Sequence, residues 1–384
     1  MNPRRLVPLI ALAALTAAAC TENDPSADSG GEIGVTSTDD ECRLTASEAP
    51  SGNLVFEVKN DGSQVTEFYV LADDGLRIVG EVENVGPGLT RSLVVTAGPG
   101  DYFTACKPGM VGDGIRAAFE VTDSGEPVGP TGDLAALLTT ATDQYASYVK
   151  DQSAQLITKT EEFAARYVAG DDDAARALYA DARTHWERIE PVAESFGDLD
   201  PRLDLREADL ADGEAWTGWH RIEKDLWPES DPAYVAATQA ERDSLAEQLV
   251  ADTQELVDRV QDLTFTADQL GNGAKELLDE VATGKVTGEE EIWSHTDLWD
   301  FQANVDGARI AFEVLQPALE TKDAALAETL TARFAELQTK LDQYREGDGF
   351  VLYTDLTDAQ VKDLSDSVNS LSEPLSELTA AVVL

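Results

Sequence analysis

His220 and Glu223 stand three residues apart in the run Gly218-Trp219-His220-Arg221-Ile222-Glu223-Lys224-Asp225-Leu226-Trp227. On a helix, positions i and i+3 share a face, so an imidazole and a carboxylate at this spacing can grip one cation together. Such a mixed nitrogen and oxygen set suits divalent iron, manganese or zinc. Glu187 and Glu190 repeat the spacing in His185-Trp186-Glu187-Arg188-Ile189-Glu190-Pro191. Two facing helices would then present three carboxylates and one imidazole. Any one glutamate pair reads as a solvated acidic face. The joint pattern, with tryptophans beside it that can bury a site, reads as a metal centre. A third cluster runs from Gly288 to Gln302 and contains Glu289-Glu290-Glu291 and Ser294-His295-Thr296-Asp297-Leu298-Trp299-Asp300. All three histidines of the chain fall in these clusters. His295 reads as a packing residue or a partner behind the ligands, and His185 as a surface residue.

These clusters sit on a helical background. From Asp133 to the end at 384, apolar residues recur three and four apart among Ala, Leu, Glu, Asp, Gln and Lys. Leu249, Val250, Leu256, Val257, Val260 and Leu263 show the stripe. A region of this length makes a large bundle or two bundles packed together. Breaks are expected at 170–173, 198–201, 228–232 and 347–349. Residues 42–122 instead alternate with period two, as in Leu54-Val55-Phe56-Glu57-Val58. Further strands are expected at 68–71, 76–79, 92–96, 102–105 and 117–121, separated by Gly, Pro and Asp turns. Short strands at this spacing make a β-sandwich. Residues 123–132, rich in Gly and Pro, read as a linker.

The 384 residues carry a net charge of −46, from 74 acidic and 28 basic side chains. Such a surface repels nucleic acid and anionic membranes and favours cations. Residues 1–19 read as an export signal, with Arg4 and Arg5 before an apolar run too short to span a bilayer. The run ends Ala17-Ala18-Ala19-Cys20, like a bacterial lipoprotein cleavage site with Cys20 as the lipid attachment point, although alanine replaces the usual leucine at 17. Residues 20–41 are polar and read as a disordered tether. Cys42 and Cys106 then remain as a pair, in an oxidising compartment more often a disulfide than anything else.

The phrases Glu187-Arg188-Ile189-Glu190-Pro191, Gly218-Trp219-His220-Arg221-Ile222-Glu223-Lys224 and Ser294-His295-Thr296-Asp297-Leu298-Trp299-Asp300-Phe301-Gln302-Ala303-Asn304 resemble the imelysin-like domain. With a β-domain in front, residues 40–384 resemble the EfeO family of bacterial iron-uptake lipoproteins. The resemblance implies a multidomain β plus all-α chain: a cupredoxin-like Greek-key sandwich at 42–122, then an imelysin-like double helix bundle at 133–384. It implies capture of ferrous or ferric iron, with copper or zinc as further candidates, for an EfeU-type permease. An EfeB-type haem peroxidase would be the third component, and the lipid anchor would be the membrane contact. It implies a metal site of His220, Glu223, Glu187, Glu190 and Asp204. A further glutamate would be Glu290, with Glu289 as alternative, because three consecutive glutamates leave the register open.

The β-domain contains no histidine, so the blue-copper set of two histidines and a cysteine cannot form there. Cys106 and Met110 keep a loop spacing of that kind. With Cys42, Glu67, Glu81 and Glu83 they are candidates for a different second metal site, in copper or ferric form. A Cys42–Cys106 disulfide beside solvated glutamates stands equally. Two other functions compete. The imelysin family has carried a metallopeptidase label, but a zincin helix needs His-Glu-x-x-His and no second histidine lies on this helix. A polysaccharide-binding or structural surface lipoprotein would want an aromatic platform, and no such pattern is evident.

Overall fold

The N-terminal alternation builds two facing sheets. The computed structural model describes residues 32–384 apart from positions 113, 212, 214 and 232. The expected export signal at 1–19, the expected lipid site Cys20 and residues 20–31 of the expected tether lie outside the described residues. The end of the expected tether is a strand. β1 (Ile33–Ser37) pairs in parallel with β4 (Gly52–Asn60) and antiparallel with β2 (Cys42–Leu44). Ile33 and Val35 face the core. The sandwich therefore opens at Ile33 instead of Cys42; Gly34 and Thr36 dilute an alternation too short to stand out.

The remaining strands are β3 (Glu48–Pro50), β5 (Thr66–Leu71), β6 (Ile78–Val85), β7 (Thr90–Ala97), β8 (Gly100–Cys106) and β9 (Ile115–Thr122). One sheet runs β2-β1-β4-β7 and the other β3-β9-β8-β5-β6. Phe56, Phe68 and Phe119 fill the space between them with Leu54, Val58 and Val95. The strand expected at 76–79 lies further along. The Asp74 carboxylate accepts from the backbone N–H of Leu76 and Arg77, at 2.8 and 2.9 Å, and holds those residues in a turn. β6 consequently reaches Val85 and carries Glu81 and Glu83.

The helical domain comprises α1 (Gly132–Val168), α2 (Asp172–Glu187), α3 (Leu199–Asp204), α4 (Gly218–Leu226), α5 (Gln239–Arg259), α6 (Ala267–Thr283), α7 (Asp297–Lys322), α8 (Ala324–Leu341), α9 (Asp358–Leu375) and α10 (Leu378–Val383). The starts of α5, α6 and α9 are set by capping boxes, Thr238 with Glu241, Thr266 with Gln269 and Thr357 with Gln360. The break expected at 198–201 contains the start of α3, whose single turn is too short to show a period. The apolar faces merge into one core, with α7 packed against α1, α2, α6 and α8.

The sandwich sits on this domain through β6 and β7, which meet α6. Thr96 N–H donates to Asp268 at 2.9 Å, and the Asn272 amide donates to the Val94 carbonyl at 2.9 Å. Gly273 lets α6 come against the segment after α2, because a Cβ there would collide with the Pro191 carbonyl. No helix among the described residues is long and apolar enough to cross a membrane.

Candidate metal centre

The centre forms where α2, α3, α4 and the turn 288–296 meet. Gly218 opens α4 at φ +86°, and a Cβ there would run into the carbonyl of Leu203. Glycine thus lets the start of α4 lie directly on the end of α3. Thr217 donates to the Arg202 carbonyl at 2.9 Å and Trp216 to that of Leu205 at 2.7 Å, fixing the same junction. His220, in the first turn of α4, is thereby placed beside Asp204, the last residue of α3.

His220 is completely buried. Its Nε2 lies 3.4 Å from Asp204 Oδ1 and 3.5 Å from Glu290 Oε1, and it makes no hydrogen bond. Its Nδ1 lies 3.4 Å from Glu223 Oε2. The ligand atoms of Asp204, His220 and Glu290 all lie within 4.8 Å of one another, as do those of His220, Glu223 and Glu291. With bonds of about 2.1 Å to a central ion, tetrahedral ligand atoms stand about 3.4 Å apart. The first triad therefore has the spacing of donors that can share one cation. Glu223 is locked by its other oxygen, which accepts from the backbone N–H of Trp293 at 3.1 Å and of Ser294 at 2.7 Å. Trp186 Nε1 holds Asp204 at 2.8 Å.

Two cations that the motif reading did not anticipate organise the acids. Arg183 is completely buried and pairs with Glu187, Asp204, Glu290, Glu291 and Asp300. Lys285 pairs with Glu187 at 3.0 Å and Glu190 at 2.8 Å, and stands 3.8 Å from Glu290. The Asn304 amide donates to Glu187 at 2.9 Å and Glu190 at 2.6 Å. Glu187 and Glu190 thus join the same network, held by Lys285 and Asn304, and neither belongs to a triad around His220. Arg183 was legible in part, since it lies four residues before Glu187 on one helix face. Lys285 left no such signal.

The glutamate register resolves with Glu290 and Glu291 both inward. Glu291 accepts from Ser294 Oγ at 3.0 Å and Tyr179 OH at 3.3 Å. Glu289 points outward, with Arg206 3.8 Å away. His295 lies outside both triads, in a left-handed turn at φ 60° where its carbonyl accepts from Tyr353 N–H at 2.9 Å. His185 is buried instead of superficial, with Nδ1 2.8 Å from Gln152 Oε1.

The charges of the centre are shared unequally. Burial works to raise the Glu290 pKa, but Lys285, His220 and Arg183 outweigh it and hold the carboxyl well below the usual range. Asp204 is likewise held low against burial by Arg183 and His220. Burial and Arg183 would lower the imidazole pKa, but Asp204, Glu223 and Glu290 overcome them and lift His220 to about 9. Burial and the neighbouring Glu223 push Glu291 well up.

In the sandwich, Cys42 and Cys106 form a disulfide with Cα atoms 5.5 Å apart. Of the two readings of this pair, the bridge is the one the fold adopts, so neither sulfur is a thiolate in this form. Glu67 is buried, accepts from Tyr69 OH at 2.6 Å and pairs with Lys107 at 3.5 Å. Glu81, Glu83 and the exposed Met110 leave the sandwich interior altogether. They line a cleft of about 510 Å³ against the helical domain, which also reaches Glu190, Asp204 and Glu290.

Comparison with known proteins agrees with this architecture. Residues 141–378 match the Imelysin family model and residues 8–118 the Cupredoxin-like domain. The fold and its site thus define a two-domain protein, an imelysin domain carrying a cupredoxin-like sandwich. The chain is 35% identical over 389 residues to "Iron uptake system component EfeO" of Escherichia coli (strain K12), covering 100% of this chain and 99% of the relative. It is 36% identical over 356 residues to the protein of the same name from Yersinia pestis, covering 92% of each. The chain belongs to the EfeO family of iron-uptake system components. A crystal structure of an imelysin-like protein from Psychrobacter arcticum 273-4 aligns at TM-score 0.45 and 14% identity, over 65% of this chain and 95% of that one.

Proposed function

We propose that this chain captures iron outside the cytoplasm at the His220 centre and delivers it to a membrane permease of the EfeU type. A haem peroxidase of the EfeB type would work beside it, and lipid on Cys20 would hold it at the outer face of the cell membrane or in the periplasm. The observation that carries the iron-binding step is the fan of Asp204, His220 and Glu290 around an imidazole nitrogen that is buried and without a hydrogen bond. A buried polar atom in that condition is unfavourable unless something else satisfies it, and a cation does so. His220, Asp204 and Glu290 would hold the ion, with Glu223 and Glu291 on the Nδ1 side of the His220 ring and Glu187 and Glu190 further along the network. One nitrogen and several carboxylates suit hard or borderline ions, iron among them. Affinity alone would not reject zinc or copper, which bind such sets more tightly. The names of the relatives favour iron.

A carrier fits better than a peptidase. Glu223 is fixed, one oxygen by two backbone N–H groups and the other beside His220, which suits a residue that holds the imidazole in place better than one that shuttles protons as a general base.

The test is anaerobic calorimetry with ferrous iron on the full chain. The double change His220→Ala, Glu223→Ala is expected to weaken the tight site at least a thousandfold while helix content by circular dichroism is retained. Unchanged iron affinity in the folded variant would rule out the His220 centre as the iron site.

A further inference from the structure

The guanidinium of Arg183, completely buried on α2, shares its acceptors with the His220 ring. Arg183 Nη1 pairs with Asp204 Oδ1, the same oxygen that lies 3.4 Å from His220 Nε2. Arg183 Nη2 lies 3.2 Å from Glu290 Oε1, which in turn lies 3.5 Å from that imidazole nitrogen. Both acidic atoms of the first triad are therefore also held by one guanidinium. Charge balance for folding alone would not need those two atoms, since Glu187, Glu291 and Asp300 also pair with Arg183. Arg183 Nε stands 2.6 Å from Glu291 and 3.3 Å from Asp300, which fixes the fork in its direction towards the triad. Lys285, anchored by Glu187 and Glu190, brings its ammonium to 3.8 Å from the same Glu290 oxygen.

This sharing limits how far the cargo can lie from a fixed positive charge. An ion bonded to Glu290 Oε1 at about 2.1 Å lies within about 5.3 Å of Arg183 Nη2 and within about 5.9 Å of Lys285 Nζ. A guanidinium does not give up its proton at any ordinary pH, so its charge stays when the ion arrives. Repulsion at that range is strong in a buried site and grows in proportion to the charge on the ion. Each fixed cation therefore weighs half again as heavily on a trivalent ion as on a divalent one.

We propose that Arg183 and Lys285 are specificity-determining residues of the centre, holding its cargo to divalent ions against trivalent ions of similar size. For iron this selects the ferrous form. Their role rests on the reading of the His220 centre as the ion site.

The test is equilibrium dialysis of the full chain against manganese(II) and indium(III) together, both buffered with nitrilotriacetate, with the bound metals measured by mass spectrometry. The two ions are similar in size and differ in charge. Subtracting the metal bound by the same chain carrying His220→Ala leaves what the centre holds, and circular dichroism checks the folding of each variant. Arg183→Gln is expected to raise the ratio of bound indium to manganese by about tenfold or more, and Lys285→Gln by a smaller factor because it stands further off. Arg183→Lys keeps a charge and loses the fork, so the ratio should stay within about threefold of wild type even where both ions bind less tightly. A residue that only supports the fold would move both affinities together and leave the ratio alone. An unchanged ratio in the two glutamine variants, or the same rise in Arg183→Lys as in Arg183→Gln, would overturn the proposal. If Arg183→Gln does not fold, Lys285→Gln decides by itself. Equal binding of both ions by wild type and His220→Ala would instead remove the His220 centre as the ion site, and this role with it.

Discussion

The buried centre and the interdomain cleft are both rich in carboxylates, yet they treat them oppositely. In the centre, Arg183 and Lys285 sit among the acids, and Glu290 is held well below its usual pKa although burial raises it. In the cleft Glu81, Glu83, Glu194, Asp200, Glu276 and Glu280 have no ion pair among the described residues, and burial followed by Glu83 drives Glu81 well up. Glu290 is thus held towards its anionic form and Glu81 pushed towards its protonated one. The difference lies in whether the fold supplies its own positive charge. A centre with internal counter-ions can be folded and preorganised before its ion arrives. A cleft without them depends on protons or cations from solvent.

Removing Arg183 would make the centre resemble the cleft. Arg183→Met leaves five buried carboxylates without that guanidinium. Breaking a buried pair from one side costs about 3–5 kcal/mol. We expect a loss of that order in chemical denaturation without metal, and a larger metal-induced stabilisation than in wild type, because the ion takes over the missing charge. An unchanged denaturation midpoint would show that Arg183 does not compensate these acids.

A second change separates fold from sites. Cys42→Ala with Cys106→Ala opens a loop whose ends are 64 residues apart. Loss of such a bridge costs about 2–4 kcal/mol. The melting transition of the sandwich should fall accordingly while iron affinity at the His220 centre stays within twofold, since neither cysteine contributes a donor there. A matching collapse of iron affinity would show that the sandwich positions the centre.

The smallest effect concerns His185, behind the centre. Burial first, and then Arg188, lower its pKa from the ordinary 6.5 to about 4. The unfolded chain takes up the proton that the folded chain refuses. The contribution to stability is therefore complete above about pH 6.5 and fades as pH falls towards 4. The expected loss is on the order of 1–3 kcal/mol, since one pKa unit corresponds to about 1.4 kcal/mol and part of the ring is solvated. His185→Gln should flatten that segment of the stability profile. An identical pH slope in variant and wild type would remove His185 from the account.

Much of this was legible in the residues themselves. Period-two alternation marked β4, β7, β8 and β9, and the 3.6-residue stripe marked the helical region, because both patterns are local. The His220 and Glu223 pair was legible for the same reason: a helix places i and i+3 together whatever surrounds it. The Cys42–Cys106 bridge stood as one of two readings. Three kinds of feature were decided only in the tertiary structure. Strand β1 escaped because Gly34 and Thr36 hide its two core residues, and pairing with β4 across a long stretch of chain makes it a strand. The choice among Glu289, Glu290 and Glu291 fell to the turn at 290–294, an irregular segment with no period to say which side chains face inward. Arg183, Lys285 and the cleft acids depend on the meeting of residues such as 183 and 290 or 187 and 285, which no local spacing predicts. Secondary structure follows from neighbours along the chain; the balance of buried charge follows from neighbours in space.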